Sequence, residues 1–88
     1  MGKHLTQQEL VSLLSAASQK VEIGASYKHY KNQLSYTVLD LAIQESDEDV
    51  VVVYRADYED GIKFTRPLKS WLQNVAWQDK MVPRFTKI

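Results

Sequence analysis

The residues best suited to recognition chemistry are three arginines, each beside an aromatic residue or a proline: Tyr54-Arg55, Arg66-Pro67 and Pro83-Arg84-Phe85. The eight lysines are scattered by contrast. A guanidinium is planar, permanently charged and able to hold a carboxylate or phosphate by two parallel hydrogen bonds, which an ammonium cannot do. The stretch Tyr27-Lys28-His29-Tyr30-Lys31 adds a fourth cluster of cations and rings. Arg55, Arg66 and Arg84 with His29 are therefore the candidate anion-binding set, with Tyr27, Tyr30 or Tyr54 placed to stack on a base or ring. Proline next to Arg66 and Arg84 fixes the local backbone and reduces the entropy lost on binding. The structural alternative is that each arginine pairs an acid, Arg55 with Asp40 or Asp57. Arg66 and Arg84 have no neighbouring acid, so the case rests chiefly on them.

Catalytic and metal chemistry find little support. His29 would need a partner to act as a base or proton switch, and none is indicated; it reads as a hydrogen-bonded strand residue sharing a face with Tyr27. Two histidines and no cysteine cannot assemble the usual zinc ligand sets. The run Glu45-Ser46-Asp47-Glu48-Asp49 lacks the spacing and glycine of a calcium loop and reads as a solvated connection. Ser12, Ser15 and Ser18 come without a nucleophile-elbow signature. The three glycines stand alone at 2, 24 and 61, so there is no glycine-rich phosphate loop. No enzyme activity and no cofactor are expected.

Charge sharpens the choice of partner. Residues 45–60 hold seven acids against Arg55, while the remainder holds ten basic and four acidic residues, so a net charge of zero conceals a dipole. A generic phosphate-backbone binder carries a basic excess, which lowers the expectation of non-specific nucleic-acid binding. The longest apolar run, Val50 to Tyr54, is far too short to span a bilayer. Without an apolar leader or cysteine the chain is expected to be cytoplasmic. Gly2 with Thr6 matches a myristoylation pattern, but Thr6 has a better structural role.

Thr6-Gln7-Gln8-Glu9 is a capping box, with Leu5 and Leu10 at the staple positions. Leu10, Leu13, Leu14, Ala17 and Val21 then follow at helical spacing, predicting an amphipathic helix over 7–20. After Gly24 the pattern becomes β: 27–30, a turn at 31–33 in which Asn32 can tolerate a left-handed conformation, then 35–43 and 50–58. Asp60-Gly61 leads into 62–65. Pro67 opens a short helix carrying Leu68, Trp71 and Leu72. Residues 75–77 and 81–85 make a last hairpin, with Pro83 implying an edge or a bulge. Even alternation puts Leu39, Leu41 and Ile43 on one face, sets Val38 opposite Arg55 and Asp40 opposite Val53, and sends Tyr36 and Val38 outward into an apolar patch. The N-terminal helix or the Trp71 helix is expected to cover that patch.

From Tyr27 onward, YKHYK (27–31), VVVYRADY (51–58), RPL (66–68) and VPRF (82–85) occur in series. In this order and spacing they resemble the bacterial domain-of-unknown-function family 1653, over residues of about 24–88. The resemblance implies a small SH3-like domain and carries no assigned catalytic residue. Asn32 stands in place of a usual glycine, Trp71 in place of a common phenylalanine, and Asp79-Lys80 lacks the glycine often found in the last turn.

The reading is of a mainly β (α+β) protein: a small antiparallel SH3-like half-barrel over 24–88, with one short helix before the last hairpin. Residues 1–23 form an N-terminal helical extension packed on it. The function that fits is a non-enzymatic module binding an anionic small molecule, a nucleotide or an acidic or phosphorylated protein, as a monomer or weak homodimer away from membranes. Single-stranded nucleic-acid (RNA) binding and an assembly role for the N-terminal helix are the alternatives.

Overall fold

A computed structural model describes residues 4–88. The N-terminal helix α1 spans Gln7–Ser18, and Thr6 caps it as its sequence requires. The Glu9 amide donates to Thr6 Oγ1 at 3.1 Å, and the Thr6 amide to Glu9 Oε1 at 2.8 Å. The helix ends two residues before the periodicity does, yet Ala17 and Val21 are fully buried and Leu14 packs against the same core. Gly2 lies outside the described residues. None of the described helices is long and apolar enough to cross a membrane.

Seven strands follow: β1 (Ser26–His29), β2 (Ser35–Gln44), β3 (Asp49–Ala56), β4 (Lys63–Pro67), β5 (Asn74–Trp77), β6 (Lys80–Pro83) and β7 (Phe85–Lys87). Helix α2 (Leu68–Trp71) lies between β4 and β5, with Pro67 as its N-cap. Five strands form an antiparallel sheet of order β4-β3-β2-β1-β7, and β5 and β6 form a separate ribbon. A meander whose last strand returns to pair with its first, around a long shared β2, is an SH3-like half-barrel. The sheet ends at β4 and β7, so closure is left to side chains packed across the gap.

The register corrects the even alternation expected from the sequence. A bulge between Val38 and Asp40 lets Val38 face Tyr54, while Asp40 still faces Val53; Thr37, not Val38, lies opposite Arg55. One extra residue reverses the inside–outside assignment across it. Tyr36 and Val38 therefore join Leu41 in the core instead of forming an outer patch, and Val38 is fully buried. The turns also differ from expectation. Gln33, rather than Asn32, takes the left-handed conformation, with φ 62°. Asn32 instead accepts the Leu34 amide through its side chain at 2.8 Å.

The last hairpin forms, but Phe85 does not belong to it. Two left-handed residues, Gln78 and Asp79, with φ 50° and 66°, turn β5 into β6 without a glycine. After Pro83 the chain crosses back so that Phe85 pairs with His29 in the main sheet. This crossing inserts the Phe85 ring beneath Trp71, stacked at 3.7 Å and 6°. Tyr27, Tyr36 and Tyr54 meet those rings edge-on and complete an aromatic core, as a small barrel with few large aliphatics requires.

Candidate anion site at the mouth of the half-barrel

Arg66 lies on edge strand β4 opposite Val52, which is fully buried, so alternation turns its side chain toward the interior. There it reaches across the gap toward β7, and its guanidinium carbon lies 5.7 Å from the centre of the Phe85 ring. Nη1 donates to Ser70 Oγ in α2 at 2.9 Å. Arg84, in the crossing between β6 and β7, donates from Nε to the Ser70 carbonyl at 3.0 Å and from Nη2 to Gln73 Oε1 at 3.0 Å. Two guanidinium groups thus meet at one residue of α2. Their partners there are neutral.

Among the described residues neither arginine forms an ion pair; the pairs present are His4–Glu48, Arg55–Asp57 and Lys87–Glu22. Arg66 Nε is covered and has no hydrogen-bond acceptor at all. A buried donor left unmade costs stability, so this side chain is poorly explained as a stabilising element.

His29 shares the site. Its ring lies edge-on to Phe85 at 5.0 Å, and Nδ1 accepts the Lys31 amide at 3.1 Å. That bond requires an unprotonated Nδ1 and so leaves the proton of the neutral ring on Nε2. Burial pushes the imidazole below its ordinary value, and the charges of Arg66, Arg84 and Lys31 push it further the same way. The charges that lower it come from three cations, with burial the larger cause.

Tyr30 flanks the cluster. Its amide donates to the Arg84 carbonyl at 3.0 Å, and its half-buried ring packs against His29 and edge-on to Trp77. The remaining sequence-nominated residues are elsewhere. Tyr27 and Tyr54 are core residues, 7% and 6% exposed, and the Tyr27 hydroxyl accepts the Glu22 amide. Arg55 occupies the opposite face, 3.6 Å from Asp57, the second of its two expected partners. There Asp57 also accepts from Ser35 and Thr37, both at 2.7 Å. Burial works against the charge on Asp57, but the bonds from Thr37 and Ser35 and the Arg55 charge outweigh it and hold the carboxyl below its usual range.

Ser70 and Gln73 carry no signal in the sequence, because Arg66 ends a strand while Ser70 lies in the short helix that follows Pro67, and no periodicity links the two. Arg66, Ser70 and Arg84 are each half-buried. Two hollows elsewhere on the surface, one along α1 beside Leu5 and Leu13 and one between Leu13, Val50 and Leu68, are lined by neither arginine nor by His29.

The motifs that carry these residues coincide with a known domain: residues 25–87 match the family model described as a protein of unknown function, DUF1653. The chain belongs to the DUF1653 family. A crystal structure of a DUF1653 protein from Bordetella bronchiseptica is similar to it at 35% identity with a TM-score of 0.69, covering 80% of this chain and 90% of that one. No curated protein matches the chain. In this DUF1653 protein His29, Arg66, Ser70, Arg84 and Phe85 all lie within the matched region, whereas α1 lies outside it.

Proposed function

We propose that this DUF1653 protein is a non-enzymatic binding module whose ligand presents a phosphate or carboxylate to Arg66 and Arg84. The observation that carries this reading is the meeting of both guanidinium groups on Ser70 without an acid. Cations brought together at a cost to stability are accounted for by an anion that the free protein lacks. His29 supports the same reading, since its neutral Nε2–H can donate to an anion without adding a third charge.

The test is calorimetric titration with inorganic phosphate and with an acidic peptide, on the wild type and on the Arg66→Ala/Arg84→Ala double variant. Binding should disappear in the double variant while its melting temperature stays nearly that of the wild type. A double variant that unfolds would make these arginines structural. A wild type that takes neither probe would dismiss the site.

A further inference from the structure

We infer that the anion at this site is the phosphate of a nucleotide, with its base stacked on Trp77 and with Tyr30 edge-on beside that ring. This rests on the binding reading above and adds the identity of what is attached to the anion.

Three features carry it. First, Trp77 and Tyr30 are large aromatics with no part in the core cluster. Trp77 sits at the end of β5, in the two-stranded ribbon outside the main sheet, and is half-buried. A tryptophan on a ribbon does not fill the barrel, and its contact is Tyr30, edge-on at 5.4 Å. Second, this pair is continuous with the cation cluster. Tyr30 bonds the Arg84 backbone and touches His29, which touches Phe85, over which Arg66 lies. Rings and cations form one row, with cations at the Phe85 end and two half-buried rings at the other.

Third, the ribbon is joined to the cation end by its own backbone. The Arg84 amide donates to the Gln73 carbonyl at 3.0 Å, immediately before β5 begins, so the ribbon that carries Trp77 is anchored where Arg84 is held. An anion cradle beside a sequence-tolerant stacking platform is how nucleotide units are gripped without reading their edges. A bare phosphate or an acidic side chain would leave Trp77 and Tyr30 without a role. Lys31, close enough to act on the His29 charge, adds to the positive field along the row.

The same chemistry can arrive as a free nucleotide or as a unit of a single strand. The experiment titrates the wild type with ribose 5-phosphate, adenosine monophosphate and a ten-nucleotide single-stranded DNA, followed by calorimetry and by quenching of tryptophan fluorescence. The monophosphate should bind roughly tenfold or more tightly than ribose 5-phosphate, the scale of one base stacking on an aromatic side chain. Trp77→Leu should erase that advantage and leave ribose 5-phosphate binding unchanged; Tyr30→Leu is the second variant if the ribbon does not tolerate the first.

Equal affinities for the two phosphates, with Arg66→Ala abolishing both, would overturn the nucleotide and keep the anion site. No binding of either would remove both. If the inference holds, a strand that binds more tightly than the monophosphate, with affinity falling steeply in salt, identifies the single-stranded source. A strand no tighter than the monophosphate identifies the free nucleotide.

Discussion

Arg55 and Arg66 sit on paired neighbouring strands of one sheet and differ in almost every physical respect. Arg55 projects from the outer face beside Asp57, which is also held by Ser35 and Thr37, so charge and hydrogen bonds balance locally. Arg66 projects inward over an aromatic ring, meets a second arginine at a neutral serine, and keeps a covered donor unmatched. The first is explained by the fold that contains it. The second has a serine and an aromatic ring as partners but no acid. Arginine content alone does not separate the two; the local charge balance does.

That contrast can be broken in several ways. The largest effect is expected on phosphate affinity. Arg66→Ala should weaken it by roughly 10- to 100-fold, the loss of charge-assisted bonds worth about 1.5–3 kcal/mol, whereas Arg55→Ala should leave it within about twofold. Equal losses would erase the distinction.

Next comes stability. Asp57→Ala removes the acceptor of Ser35 and Thr37 together with the partner of Arg55, and should cost about 1 kcal/mol in denaturant unfolding. That figure is kept low because the group is partly solvated. The contribution should fade with acid. The carboxyl of Asp57 is depressed in the folded state, so its stabilisation is present above the unfolded value near 3.8 and is lost as pH falls below it.

Arg66→Met should go the other way. An apolar side chain of similar length retains contact with Phe85 and removes an unmatched donor, so stability should stay level or rise by up to about 1 kcal/mol. A clear loss would mean that Arg66 supports the fold.

The smallest effect is the most local. His29 should titrate below its ordinary value of 6.5 by proton NMR. Arg66→Gln and Arg84→Gln should each move the midpoint upward, though not fully, because burial remains the leading cause. Saturating phosphate should do the same by neutralising the field. Since the unfolded chain binds this proton more readily, His29 withdraws stability as pH drops through 6.5 and not above it.

Much of the fold was legible in the sequence because it is written locally. The capping box of α1, the β runs and the proline-opened α2 each depend on residues within one or two turns of one another. The failures came where a single residue changes the meaning of its neighbours. The bulge at Leu39 has no composition signal, and by missing it the alternation turned Tyr36 and Val38 to the wrong side of the sheet. The non-glycine turns at Gln33 and Gln78-Asp79 accept left-handed backbone that residue type alone does not announce. At the site, the singling out of Arg66, Arg84, His29 and Tyr30 was within reach because each stands in a compact motif. Their convergence was not, since it depends on β7 returning to β1 and on α2 presenting Ser70 between two distant segments. Tyr27 and Tyr54 carry the same side chain as Tyr30, and only burial distinguishes them.

Phe85 enters the sheet on β7, after every other element of the fold in chain order, yet its ring lies at the centre of the aromatic core. A chain emerging from the ribosome therefore cannot complete this interior until the seventh strand is available. Until then β1 is an unpaired edge, and Trp71 lacks the surface on which it stacks. The aromatic interior therefore closes only when β7 docks, and a sheet whose edge is still open at β1 can pair with another chain until it does. A strand of three residues thus protects both an edge and a core.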